Sequence, residues 1–178
     1  MHNTEKIVKR ILFIYLFYSS FNVQCSALDY KTNLPCATVK RVFDGDTILL
    51  SNNQRIRLLG IDAFEWDQAP YGKIAKDFLA KLVLNKEVCI ETDVQGKDIY
   101  NRTLGYVFFG NHFVNEELLK NGLAILYDYP PNVRYISRLK KAQIYGRQNK
   151  LGVWEKHSYI IETPSQFRHK HPYRKKHS

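Results

Sequence analysis

The chain has 178 residues, 44% of them hydrophobic and 13% aromatic, which suits one domain with short extensions and excludes global disorder. Its formal net charge of +10 favours polyanionic partners, such as nucleic acid or an anionic membrane surface. Much of that charge lies at the ends. Lys6, Lys9 and Arg10 face only Glu5, and Arg168, Lys170, Arg174, Lys175 and Lys176 have no acid among them after Pro164, so the body is only modestly basic.

The amino end reads as an export signal. Lys6, Lys9 and Arg10 precede the apolar run Ile11–Tyr18, and Cys25-Ser26-Ala27 offers the small residues that a signal peptidase accepts. Cleavage is expected after Ala27. The run is shorter than the ~20 residues of a comfortable membrane span, although an uncleaved anchor or a buried helix would also use it. Export implies a secreted or periplasmic protein in an oxidising compartment, with Cys36 and Cys89 left after cleavage.

Residues 28–36 form a lead-in. From Thr38 the texture turns to β: Thr38–Phe43 and Thr47–Leu50 flank the polar Asp44-Gly45-Asp46, and Arg55–Ile61 follows the turn Ser51–Gln54. Pro70 opens a helical pattern that ends near Asn85, with Ile74, Phe78 and Leu82 four apart and Ala75 and Leu79 beside them. Glu87–Thr92 and Thr103–Phe109 read as strands around a polar loop, and Gly110-Asn111 turns into His112–Val114. Asn115 is a candidate N-cap for a short helix, Glu116–Asn121, stopped by Gly122. Leu123–Leu126 is apolar, and a last helix spans about Arg134–Asn149, with Ile136, Leu139 and Ala142 as its inward candidates. Leu151–Trp154 looks like a strap onto the core. The basic stretch 157–178 lacks apolar periodicity and is expected to be a disordered tail.

This order predicts a mainly β, α+β fold: a five-stranded OB-type barrel with three packed helices over residues 37–156. Such barrels bind oligonucleotides on one face, but a fold alone does not establish chemistry.

Two acidic clusters carry the chemistry. Asp44-Gly45-Asp46-Thr47, taken alone, is more often a turn than a metal site. A second cluster, Asp62 and Glu65, follows an apolar strand. If neighbouring strands bring Asp46 and Asp62 together, their repulsion calls for a cation between them. Oxygen ligands point to Ca²⁺ or Mg²⁺ rather than zinc. Arg57 and Arg102 supply guanidinium groups suited to phosphate oxygens, and Glu65 can take a proton from water. The plainer reading of Arg57 is a barrel-edge salt bridge to Asp62 or Glu65.

The sequence resembles the staphylococcal nuclease family from about Pro35 to Trp154. The resemblance rests on Asp44-Gly45-Asp46-Thr47, the run from Arg57-Leu58-Leu59 to Asp62 and Glu65, and Asp98-Ile99-Tyr100-Asn101-Arg102. It continues in Val114-Asn115-Glu116-Glu117-Leu118, Gly122-Leu123-Ala124 and Gly152-Val153-Trp154. It implies a calcium-dependent endonuclease acting on DNA and RNA and leaving 3′-phosphate ends. Asp46, Asp62 and the Ala63 carbonyl would ligate Ca²⁺. Arg57 and Arg102 would hold the phosphate, and Glu65 would be the general base. Tyr100, with Tyr127 or Tyr129, would border the nucleotide pocket. The enzyme would act as a monomer without stable membrane association after signal cleavage. A non-catalytic nucleic-acid- or protein-binding module of the same fold is the alternative.

Two departures matter. Ala63-Phe64 stands where the family has Thr-Pro, and losing the proline should leave Glu65 less firmly held. Asn101 replaces the more usual glycine, and asparagine tolerates left-handed φ. In such a barrel the first and fourth strands are neighbours, which implies a Cys36–Cys89 disulfide.

Overall fold

The structure, a computed structural model, describes residues 33–155 and 162–172. The expected export signal at residues 1–27, most of the 28–36 lead-in and the remainder of the carboxyl tail lie outside the described residues. Among the described residues no helix is long and apolar enough to cross a membrane.

The β-rich first half forms β1 (Cys36–Val42), β2 (Thr47–Leu50), β3 (Arg55–Leu58) and the short β4 (Ile61–Ala63). Helix α1 (Tyr71–Val83) leads to β5 (Glu87–Glu91), β6 (Thr103–Phe109) and β7 (His112–Phe113). Helix α2 (Val114–Lys120), β8 (Ala124–Leu126), α3 (Ile136–Gln148), a 3₁₀ turn (Gly152–Trp154) and α4 (Pro164–Lys170) complete the chain.

The barrel runs β3-β2-β1-β5-β6 and closes through a parallel β3–β6 pairing, giving the expected five strands. β1 serves two neighbours. Its residues Cys36–Thr38 pair with β5 and Val39–Val42 with β2, and a register shift between Val39 and Arg41 interrupts the β2 ladder. Cys36 lies directly opposite Cys89, and the two form a disulfide, as the resemblance implied. Ile48, Leu50, Ile56, Leu58 and Val107 fill the barrel, with Leu79, Leu118 and Leu139 packed against it from the helices.

Several local details depart from the sequence reading. The line Gly72, Ala75, Leu79 and Val83 of α1 is buried, as expected for Ala75 and Leu79, whereas the line Ile74, Phe78 and Leu82 is only partly covered, with Ile74 44% exposed. Both lines have helical spacing, so periodicity alone does not separate them. In α3, Leu139 and Ala142 face inward as expected, together with Gly146. Asn115 does not cap α2. The helix starts at Val114, and the buried Asn115 side chain instead accepts from the Val107 N–H (2.9 Å) and donates to the Leu59 carbonyl (2.8 Å). Those bonds tie α2 to the barrel and to the turn before β4. Leu151–Trp154 is the expected buried strap, wound as a 3₁₀ turn.

The stretch expected to be a disordered tail contains α4. Thr163 caps it, accepting from the Gln166 N–H while the Gln166 side chain accepts from the Thr163 N–H. Pro164 sits at its first turn, where a missing N–H costs nothing.

Candidate active site

β4 and β8 pair antiparallel beside the barrel, with Asp62 opposite Ile125. This small ladder buries Asp62 to 1% exposure in the lining of a cleft. Asp46 arrives from the β1–β2 turn. An added Cβ on Gly45 would lie 2.6 Å from the Ala63 Cβ and 2.8 Å from the Ala75 Cβ. Glycine is therefore needed less for the bend than for close approach, which seats the Asp44–Asp46 turn against β4 and α1. Asp46 Oδ2 accepts the Ala63 N–H at 2.9 Å, and Thr47 donates to Asp46 Oδ1 at 3.1 Å.

Arg57 lies between the two carboxylates. Its Nη2 is 3.1 Å from Asp46 Oδ2 and 3.2 Å from Asp62 Oδ1, and its Nη1 donates to the Leu58 and Ile61 carbonyls at 2.6 and 2.9 Å. The salt-bridge reading of Arg57 is thus met for Asp62 and extended to Asp46. These contacts fix the guanidinium at the cleft wall. Burial first, and then the charge of Asp46, push the Asp44 carboxyl up to about 6.

Arg102 comes from the loop between β5 and β6. Asp98 organises that loop, accepting from the Tyr100 and Arg102 main-chain N–H groups and from Arg102 Nε at 2.6 Å. Burial pushes the Asp98 carboxyl up, but the hydrogen bonds and charge of Arg102 and the Tyr100 N–H outweigh it. They hold it below the usual carboxylate range. Asn101 takes the left-handed φ of 61° expected of it. Tyr100 is 74% exposed, and its ring lies under the Arg102 guanidinium.

Glu65 is held despite the absent proline. Phe64 is buried against Val153 and Trp154, with Tyr71 packed beside them, and anchors the turn from below. The Glu65 N–H donates to Gln68 Oε1 (2.9 Å), and its carbonyl accepts the Gln68 N–H (2.8 Å). A Cβ on Gly72 would fall 1.9 Å from that carbonyl, so α1 packs directly on the turn. A buried aromatic and a helix start fix the turn that a proline would have stiffened.

The expected catalytic, metal and tyrosine positions all line one cleft of about 680 Å³. Arg57, Glu65 and Arg102 meet there with Asp46, Asp62 and Ala63, and Tyr100, Tyr127 and Tyr129 line the same cleft. That volume suits a nucleotide-sized ligand. The rings of Tyr127 and Tyr129 lie 6.1 Å apart, so the cleft takes both rather than choosing one.

The family profile described as "Staphylococcal nuclease homologue" matches residues 55–156. The chain belongs to the staphylococcal nuclease family. It is 40% identical to the thermonuclease of Staphylococcus intermedius over 66% of this chain and 75% of that one. It is 34% identical to endonuclease YncB of Bacillus subtilis over 69% of this chain and 63% of that protein. A protein of Haemophilus influenzae named as an uncharacterized endonuclease is 33% identical over 94% of this chain and 87% of its own length. The chain is accordingly an enzyme of the nuclease class, and the non-catalytic reading of the fold is set aside.

One cleft residue escaped the sequence reading of this nuclease-family chain. Arg168, from α4, donates through Nη1 and Nη2 to Asp62 Oδ1 and Oδ2 (3.1 and 2.9 Å), and through Nη1 to Glu65 Oε1 (2.6 Å). Burial would lower its proton affinity, but the Asp62 and Glu65 hydrogen bonds more than compensate and keep it charged. The legible signal was Thr163-Pro164-Ser165-Gln166, a capping box with proline at the first helical position.

Proposed function

We propose that this chain is a calcium-dependent endonuclease that hydrolyses phosphodiester bonds in DNA and RNA and leaves 3′-phosphate ends, working in a secreted or periplasmic setting. The observation carrying this reading is the meeting of two guanidinium groups and three carboxylates, from Arg57, Arg102, Asp46, Asp62 and Glu65, around one cleft.

Asp46 and Asp62 converge on one atom, Arg57 Nη2, so both carboxylates lie within reach of a single cation. Among the described residues no three acidic, histidine or cysteine side chains cluster tightly enough to hold an ion alone. The two carboxylates would therefore share it with the Ala63 carbonyl and water, an all-oxygen set that suits a hard, weakly selective ion such as calcium. When bound, the ion offsets negative charge on the phosphate. Arg57 and Arg102 hold the phosphate oxygens and stabilise the extra charge of the five-coordinate transition state. Glu65 orients a water and takes its proton as the oxygen bonds to phosphorus. The P–O5′ bond breaks, the 5′ oxygen takes up a proton, and the phosphate remains on the 3′ side. The exposed tyrosines offer faces for bases without reading sequence, which fits action on both nucleic acids. The Cys36–Cys89 disulfide supports an oxidising compartment.

The test is digestion of DNA and RNA by the purified chain with Ca²⁺, Mg²⁺ or chelator, followed by end-group analysis. Cleavage with calcium, loss with chelator and 3′-phosphate ends are expected. Chelator-insensitive cleavage, or 5′-phosphate ends, would refute the proposal.

A further inference from the structure

Helix α4 reaches the cleft through one side chain. Pro164 is buried and the Gln68 amide donates to the Glu162 carbonyl at 3.2 Å, which fastens the start of the segment beside the catalytic turn, while Lys170 pairs with Glu162 at 2.9 Å within the segment itself. From there Arg168 takes both oxygens of Asp62 and one of Glu65. These are the carboxylates assigned above to the metal and to the attacking water. A guanidinium forked on Asp62 and a divalent ion on the same carboxylate are two cations a few ångströms apart, and their repulsion sets them in competition.

We propose that Arg168 is a tethered cationic competitor of the divalent ion: α4 holds the site closed when calcium is scarce and leaves it when calcium binds. The proposal rests on reading Asp62 as a calcium ligand. Two features favour competition over a passive surface pair. First, the contact is a fork on a carboxylate that is 1% exposed, whereas surface pairs join groups already in water. Second, the competitor belongs to the same chain, so its effective concentration at the site is on the order of millimolar and does not fall on dilution. Arg168 itself is 38% exposed, which keeps the contact weak enough for an ion to displace. Coupling is reciprocal. If α4 weakens calcium binding, calcium must weaken the docking of α4 by the same factor.

The experiment uses the full chain and two substitutions, R168A and R168Q. Calorimetry gives the calcium Kd of each, and hydrogen exchange follows residues 164–170 with and without calcium. Both variants should bind calcium about threefold to tenfold more tightly than the parent. In the parent, calcium should speed exchange across α4. At saturating calcium the rate of DNA cleavage should match the parent. Equal Kd values in parent and variants overturn the competition while leaving the calcium site intact. Loss of cleavage at saturating calcium in R168A also overturns it, because Arg168 would then serve the substrate. Calcium binding to none of the three removes the metal site and this inference with it.

Discussion

Arg57 Nη2 stands 3.1 Å from Asp46 and 3.2 Å from Asp62, so a single nitrogen is shared by the two buried carboxylates expected to take the metal. In the proposed mechanism the same arginine has two duties, holding phosphate and keeping two acids tolerable when no ion is there. R57A should lower cleavage about 100-fold to 1,000-fold, the usual cost of a preorganised donor. It should also destabilise the metal-free protein by up to about 3 kcal/mol, less where Arg168 still neutralises Asp62. Denaturation with and without calcium checks this, since added calcium should recover most of the loss. A variant as stable as the parent without calcium would contradict the second duty.

Phe64 replaces the turn proline with an anchor in the core. F64A should cost about 3 kcal/mol, at the low end for a buried phenylalanine. It should also slow cleavage about tenfold or more, because Glu65 loses its fixed position. Denaturant midpoints and kcat measured together are the check. Stability lost with kcat unchanged would mean that the turn holds Glu65 without Phe64.

Asp98 carries a pH dependence. Its folded pKa is depressed, so its stabilisation is complete above the unfolded value of about 3.9 and is lost as pH falls through the lower folded value. The loop carrying Tyr100 and Arg102 should stay ordered at pH 4 and loosen only in stronger acid. Carboxyl-carbon NMR titration of Asp98 measures this directly, and a midpoint at or above 3.9 would rule it out.

The Cys36–Cys89 bridge closes a separation of 53 residues across the β1–β5 ladder. Loop-closure entropy gives about 4 kcal/mol for such a bridge. Reduction, or C36S with C89S, should lower Tm by roughly 10 °C in a domain of this size. Thermal melts with and without reductant provide the measurement, and coincident melts would show that the bridge constrains little.

The sequence by itself determined the five strands of the barrel and singled out side chains that line its cleft. Strand alternation, turn residues and short motifs such as Asp44–Thr47 and Asp98–Arg102 are local signals, and each specifies its own few residues wherever the chain goes. The tertiary structure decided what those signals leave degenerate. Ile74–Phe78–Leu82 and Ala75–Leu79–Val83 are both helical stripes, and only packing on the barrel buried the second. Asn115 has the chemistry of an N-cap, yet a nearby orphan N–H on Val107 and a carbonyl on Leu59 claimed its side chain. Phe64 has no turn-forming preference and matters because Val153 and Trp154 come back to cover it. Arg168 is the clearest case. It lies 106 positions from Asp62, and no spacing rule records a contact of that separation, because three-dimensional proximity follows from the summed path of every element between them.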